Sequence, residues 1–414
     1  MQKILIITPN KFHKYTGGGV VLSNLFHELA DEDIYLLHRD TIQLEEEFKN
    51  SNFIKWFWLR PQIVDLISIF MICIKEIIIN RKKISLSSFK DLLIQTSYFS
   101  LNSSRLNSVK NFNPDEIYGW ASDSLWADSI LKISKQLKIP YVIHFMDNQV
   151  GVHHEDLLDK ILNSRFNKKL DTLVTNANAV FVISEMMSKE YSHKWGCKCE
   201  VFRGSIDGSN WPDPSSTFQQ SNKKKIITYV GSVEKHQVNA LLDIIECVEE
   251  LNDLNESISL NLYLNEKDKM LVNEKLSTMK SVQFFKHPEF NMLRDTLIKS
   301  DILISFYSFD QSSFDYYKLS FATKIVPFML SGRPILIYGP KGINPVEYAK
   351  SGNWAEVVDN QSIKSLKLSI KKLLDDQDFS LKISSQARHI ALKDHDLMIN
   401  SQRFLKSMEL ASLN

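Results

Sequence analysis

The residues able to do chemistry are few, and most of them follow short apolar runs. Thr16-Gly17-Gly18-Gly19 stands between the run Lys3–Thr8 and a segment of helical period, Val20 to Ala30. Three glycines at a helix start let backbone approach an anion, which the free amides and helix dipole favour. The spacing is not G-x-G-x-x-G and no P-loop lysine follows, so a dinucleotide or ATP site is not indicated. A turn that simply needs positive φ is the competing reading. Tyr141-Val142-Ile143-His144 runs into Phe145-Met146-Asp147-Asn148. At a strand's carboxyl end, His144 and Asp147 could contact hydroxyls or handle a proton. Their packing alternative is a histidine bonded to backbone and an aspartate capping the next helix.

Cations sit at similar places. Arg203-Gly204 follows one apolar run, and Gly231-Ser232-Val233-Glu234-Lys235 follows another. Such a cation could neutralise a diphosphate, although singly each is also an ordinary solvated charge. The densest stretch is Lys318-Leu319-Ser320-Phe321-Ala322-Thr323-Lys324, followed by Ile325 to Leu330, Ser331-Gly332 and Arg333-Pro334. It reads as a loop with exposed amides, a short helix and a stop. Ser320, Phe321, Thr323 and Lys324 thereby form a candidate phosphate cradle. His153-His154-Glu155 does not have H-E-x-x-H spacing, and Cys197-Lys198-Cys199 lacks the second pair a zinc site needs, so no metal is expected.

Positioning these residues requires an α/β frame. Twelve apolar, β-branched runs alternate with helical patterns: Lys3–Thr8, Ile34–His38, Glu116–Tyr118, Tyr141–Phe145, Ala179–Ile183, Glu200–Phe202, then Lys225–Val230, Ser259–Leu264, Val282–Phe285, Asp301–Phe306, Pro334–Tyr338 and Glu356–Val358. Strands this apolar are buried on both faces, hence parallel sheets covered by helices. Two such series predict two Rossmann-like domains, spanning 1–206 and 225–380. Asp207 to Ser216 is rich in breakers, and the linker is placed at 207–224. Residues 381–414 read as helix.

Composition narrows the function classes. The 414 residues are 43% hydrophobic and 24% charged, and Lys plus Arg (50) nearly equal Asp plus Glu (49). That balance gives nucleic acid no bulk attraction. Four cysteines make no disulfide framework, so a reduced, cytoplasmic protein is expected. The greasiest segment, Ile63 to Ile79, contains Asp65, Lys75 and Glu76 and is too interrupted to span a bilayer. Trp56, Phe57, Trp58 and Arg60 precede it, and Arg81, Lys82, Lys83 and Lys90 follow. Two readings stand: a core helix, or an amphipathic surface resting peripherally on an anionic membrane.

In order and spacing, Gly17-Gly18-Gly19, Ile143 to Asp147, Ala179 to Glu185, Tyr229-Val230-Gly231-Ser232 and Lys324 to Pro334 resemble the retaining, GT-B-fold glycosyltransferases of family 4 (group 1). The resemblance covers nearly the whole chain. It implies two Rossmann-like domains with parallel sheets facing across a cleft, and a last helical segment, 381–414, crossing back to the first. It also implies transfer of a sugar, with retention and without a metal or other cofactor. The donor would be a UDP- or GDP-linked nucleotide-diphosphate sugar, and the acceptor a hydroxyl of a glycan or lipid-linked glycan in surface polysaccharide synthesis. By match to the family, Gly18, Gly19 and Gly231 approach the donor phosphates, and His144 lies near the transferred sugar, which assigns His144 and Asp147 to sugar positioning. Lys324, Lys235 and Arg203 are expected to stabilise the leaving diphosphate.

The chain departs from that family in two places. Ser232 stands where the family has an arginine. Leu319 and Pro327 stand where it has a pair of glutamates, and neither side chain can accept a hydrogen bond from a hydroxyl; Asp315 is the carboxylate nearest to them in sequence. Two other readings follow: a GT-B sugar-nucleotide epimerase, or a non-catalytic relative binding glycan or partner.

Overall fold

The computed structural model describes residues 2–12, 17–38, 51–53, 59–61, 97–99, 103–148, 157–217, 224–234, 237–254, 256–276, 279 and 281–413. Lys235, His153 to Glu155, Ile63 to Ile79 and most of its basic and aromatic flanks lie outside them. The chain divides into two compact units. Unit 1 comprises Met1–His13, Phe26–Phe202 and Ser401–Asn414; unit 2 comprises Lys14–Leu25 and Arg203–Asn400.

Unit 1 is built on seven parallel strands, β1 (Ile4–Ile7), β2 (Ile34–His38), β3 (Ser51–Phe53), β6 (Glu116–Gly119), β7 (Tyr141–Phe145), β8 (Ala179–Val182) and β9 (Cys199–Val201), in the order β3-β2-β1-β6-β7-β8-β9. A separate antiparallel pair joins β4 (Leu59–Pro61) to β5 (Ser97–Phe99). Every residue of β1, β2 and β7 is buried, as strands covered on both faces require. Helix α1 (Gly17–Leu25) belongs by contact to unit 2, while α2 (Ser103–Phe112), α3 (Ser124–Leu137), α4 (Leu157–Thr175) and α5 (Glu185–Trp195) belong to unit 1. Helix starts follow the side chains that can satisfy free amides. Asp123 caps α3 through Leu125 N at 2.8 Å, and Ser184 caps α5 through Met187 N at 3.1 Å.

Unit 2 carries six parallel strands in the order β12-β11-β10-β13-β14-β15. They are β10 (Lys225–Val230), β11 (Ile258–Leu264), β12 (Val282–Lys286), β13 (Ile302–Phe306), β14 (Ile335–Tyr338) and β15 (Glu356–Val358). The helices are α6 (Pro214–Thr217), α7 (Val238–Asp253), α8 (Glu266–Leu276), α9 (Phe290–Ile298), α10 (Gln311–Tyr317), α11 (Ile325–Leu330), α12 (Asn344–Gly352), α13 (Ile363–Asp375) and α14 (Gln377–Asp394). Leu241, Ile244 and Val248 of α7 and Leu366 and Ile370 of α13 bury the same core as Ile227, Leu260 and Ile304 of the sheet. At the unit's start, Ile206 bridges to Asp396 and donates its N–H to His395 O.

The last helix, α15 (Leu397–Ser412), contributes its residues from 401 onward to unit 1. Its Phe404 is fully buried with ring centroids 5.1 Å from Phe26, 5.7 Å from Tyr118, 5.6 Å from Phe181 and 5.3 Å from Phe202.

The expected loop of glycines before α1 is corrected. Gly17, Gly18 and Gly19 are the first turn of the helix itself, and none of them has positive φ. The amides of that first turn are therefore those of the glycines. At Gly17 an added Cβ would lie 3.1 Å from Thr323 Oγ1, a tight approach.

Candidate phosphate-binding site

In both large sheets the strand order reverses beside the first strand, between β1 and β6 in unit 1 and between β10 and β13 in unit 2. Parallel sheets bind ligands outside the carboxyl ends of the strands at such points. In unit 2, β10 ends on Tyr229-Val230 and β13 on Phe306, with the Tyr229 and Phe306 rings 4.4 Å apart.

The loop after β10 is fixed at several points. Gly231 N–H donates to Tyr263 O at 3.2 Å, Val233 N–H to Asp268 at 3.0 Å and Glu234 N–H to Gln237 Oε1 at 3.0 Å. Gly231 has φ +143°, and an added Cβ would lie 3.2 Å from Lys324 Cδ and 3.3 Å from its Nζ. Only glycine fits, both for the backbone angle and for the approach of that lysine. Ser232 is exposed in this turn.

Lys324 reaches the same point from the other loop. Its Nζ lies 2.6 Å from Tyr229 Oη and 4.1 Å from the centre of that ring. Burial pushes its pKa down to about 7, since a desolvated ammonium is disfavoured. Beside it, the N–H groups of Ser320, Phe321, Ala322, Thr323 and Lys324 donate to no group among the described residues. A run of open amides ending in a lysine is a site for an anion. Helix α11, only six residues long, adds little dipole, so the loop and the lysine provide the attraction.

Not every expected residue of this loop faces a ligand. Ser320 is buried and donates its hydroxyl to Tyr316 O at 2.8 Å, while Asn344 Nδ2 holds Ser320 O at 3.0 Å. Phe321 is buried and stacks on His395 at 5.3 Å. Their side chains shape the loop, leaving the backbone and Thr323 at its surface. Leu319 is fully buried. Asp315 accepts from Gln311 Nε2 at 2.7 Å from within α10.

Arg203 has its guanidinium 5.0 Å from the Tyr348 ring and 5.7 Å from that of Phe321, and it is buried. His395 completes this group: its Nδ1 lies 2.8 Å from Gly204 O and its Nε2 2.9 Å from Tyr348 Oη. Because a carbonyl only accepts, Nδ1 carries the hydrogen and Nε2 accepts from the tyrosine. Burial, reinforced by Arg203, lowers the His395 pKa to about 3. In this arrangement Arg203 packs against aromatic rings. Gly18 and Gly19 lie in α1, whose Gly17 and Val21 flank Gly204 and Thr323.

In unit 1, His144 is held in the way its packing alternative describes. It is fully buried, with Nε2 3.1 Å from Phe202 O and Nδ1 2.8 Å from Tyr118 Oη. Both nitrogens are spent, and burial lowers the pKa to about 3, so the ring presents nothing to a sugar in this conformation. Asp147, two residues beyond β7, has its pKa raised by burial, and it caps no helix among the described residues. One residue escaped sequence reasoning here. Trp120, just past β6, is buried, and its indole N–H has no hydrogen-bond partner among the described residues. Its only sequence signal was its place after a strand. Among those residues no cluster of three metal-ligating side chains occurs, and no helix is long and apolar enough to cross a membrane.

No protein-family model matches the chain, and no curated protein matches it significantly in sequence. Solved structures do match over nearly its full length. HepE from Anabaena, determined with UDP and glucose, is 14% identical, with a TM-score of 0.63 over 99% of this chain and 100% of that one. Sucrose-phosphate synthase from Thermosynechococcus elongatus is 11% identical, with a TM-score of 0.67 over 99% of both chains. WaaG, a glycosyltransferase involved in lipopolysaccharide biosynthesis, is 13% identical, with a TM-score of 0.56 over 97% of this chain and 98% of that one. At such identities the likeness shows the fold alone, and that fold is the α/β GT-B architecture expected from the sequence.

Proposed function

We propose that this GT-B-fold chain is a glycosyltransferase, moving a sugar from a nucleotide-diphosphate donor to a hydroxyl of a glycan or lipid-linked glycan. The observation that carries the reading is the meeting of Gly231, Lys324 and the open amides of 320–324 at the β10/β13 reversal point. HepE, which shares the fold, was determined with UDP and glucose, and this supports a UDP-linked donor; GDP is the other candidate base.

In this reading the amides and Lys324 take up charge as the sugar–phosphate bond breaks, which is where preorganised donors accelerate group transfer most. Lys324 supplies the cation, so the reaction needs no metal. Retention is carried over from the family resemblance and would be read from the anomeric configuration of the product by NMR. In unit 1, Asp147 is the group proposed to bind sugar hydroxyls, with His144 holding the strand end. The aromatic and basic composition of residues 52–90 supports a lipid-linked acceptor, a peripheral place on the cytoplasmic face of a membrane, and a role in surface polysaccharide synthesis. Co-sedimentation with anionic, but not neutral, liposomes is the expected result for that part.

A thermal-shift panel of UDP, GDP, CMP, ADP and dTDP tests the donor. A nucleotide present at 100 times its Kd adds about 2.7 kcal/mol of stability. The burial of Leu319 where the family resemblance calls for a carboxylate favours a second reading, a glycan- or partner-binding relative without a donor site. Failure of every nucleotide in the panel would select it.

A further inference from the structure

Lys324 has no carboxylate beside it in the hydrogen bonds and ion pairs of the described residues; a phenol holds it instead. Tyr229 is fully buried in β10, its ring wedged against Phe306 at 4.4 Å. Its hydroxyl makes two contacts, one to Ser232 O and one to Lys324 Nζ at 2.6 Å. The direction of each follows from chemistry. A carbonyl can only accept, so the single phenolic hydrogen goes to Ser232 O, and toward Lys324 the oxygen is an acceptor. One ammonium hydrogen is thereby used, and two remain for an anion. The same phenol ties the turn at Gly231-Ser232 to the tip of the lysine, setting loop and cation in one frame.

We infer that Tyr229 is the positioning residue that holds Lys324 on the diphosphate of a nucleotide ligand. The inference rests on the donor site proposed above and deepens it. Without the phenol, a lysine with four rotatable bonds would have to be ordered by the ligand itself, and that ordering costs affinity. The other titratable groups around the pair leave this role open to Tyr229. Asp268 holds the loop, its Oδ2 accepting from Val233 N–H and Asn265 Nδ2, and Glu234 is exposed on the loop. Tyr307 accepts from the Ser305 hydroxyl at 3.0 Å, and Tyr317 meets the Tyr307 ring edge to face at 4.6 Å.

The test is a binding cycle read by calorimetry with UDP and GDP on wild type, Tyr229→Phe, Lys324→Met and the double variant. Tyr229→Phe is expected to weaken binding about tenfold, roughly the worth of one charged hydrogen bond. The double variant should bind no more weakly than Lys324→Met, because the tyrosine acts through the lysine. Phenylalanine also removes an acceptor that favours the ammonium, so the pH above which affinity declines should move down in Tyr229→Phe. A purely structural tyrosine would leave that profile where it was. Wild-type affinity and an unshifted profile in Tyr229→Phe would overturn the positioning role while leaving the donor site intact. No binding of either nucleotide to wild type would remove both. Should Tyr229→Phe not fold, inorganic pyrophosphate serves as a probe that does not absorb in the tyrosine band. It should produce a tyrosine difference spectrum in wild type and none in Lys324→Met; binding without that spectrum overturns the inference.

Discussion

Two buried histidines show how much a single side chain can decide. His144 and His395 each give a hydrogen to a backbone carbonyl and accept one from a tyrosine, and both are held neutral with pKa values near 3. Between about pH 6.5 and 3 the unfolded chain binds protons that the folded one refuses, so stability falls as pH falls, by about 1.4 kcal/mol per unit for each histidine. Glu116 works the other way. Burial raises its pKa to about 8, so its contribution is lost as pH rises from about 4.5. The three together predict a shallow loss of stability on acidification from pH 6.5 to 4.5 and a steeper one below. Urea midpoints across that range check it; a flat profile would show that these histidines are not held neutral. A second prediction concerns Gly231→Ala, which forces a side chain into φ +143° and against Lys324. A destabilisation of about 1–3 kcal/mol is expected, with nucleotide affinity reduced as well. Affinity at the wild-type level would place the ligand away from this turn.

Elements were legible wherever burial wrote a continuous apolar run. The strands at Ile34–His38, Tyr141–Phe145, Lys225–Val230 and Glu356–Val358 have the boundaries expected from sequence, and the others shift by a residue or two. Ser51–Phe53, Leu59–Pro61 and Ser97–Phe99 were not foreseen, being too short to carry a period. The first turn of α1 was misread for a physical reason. Each interior glycine costs a helix about 1 kcal/mol relative to alanine, so three in a row read as loop, and the close approach of Thr323 to Gly17 is visible only in the structure. The site was legible in part. Lys324 and Gly231 were visible as a cation closing the 318–324 loop and a glycine after an apolar run, whereas Tyr229 showed only as the end of a strand. The inward turn of Ser320 and Phe321 depends on Asn344 and His395, which are remote in sequence. Helix α15 carries a test at this scale. Phe404→Ala should cost about 3–5 kcal/mol, measured by denaturant unfolding, because four aromatic rings close on that side chain. A loss under 1 kcal/mol would mean that the helix end is held by something else.

For the whole molecule, the candidate donor groups belong to one unit. Gly18, Gly19, Arg203, Gly231, Thr323 and Lys324 all fall in unit 2, while His144, Asp147 and Trp120 fall in unit 1. Nucleotide should therefore slow amide exchange chiefly in peptides covering 225–234 and 318–330. Protection confined to unit 1 would move the donor site. The division of the chain also bears on how it is made. Unit 1 takes its strands from residues before 203 and its Phe404 from beyond 400. A ribosome must therefore synthesise all of residues 203–400 before Phe26, Tyr118, Phe181 and Phe202 gain the ring that covers them. At ordinary elongation rates that interval is on the order of 10–40 seconds, during which the nascent chain lacks the ring that covers its aromatic nest.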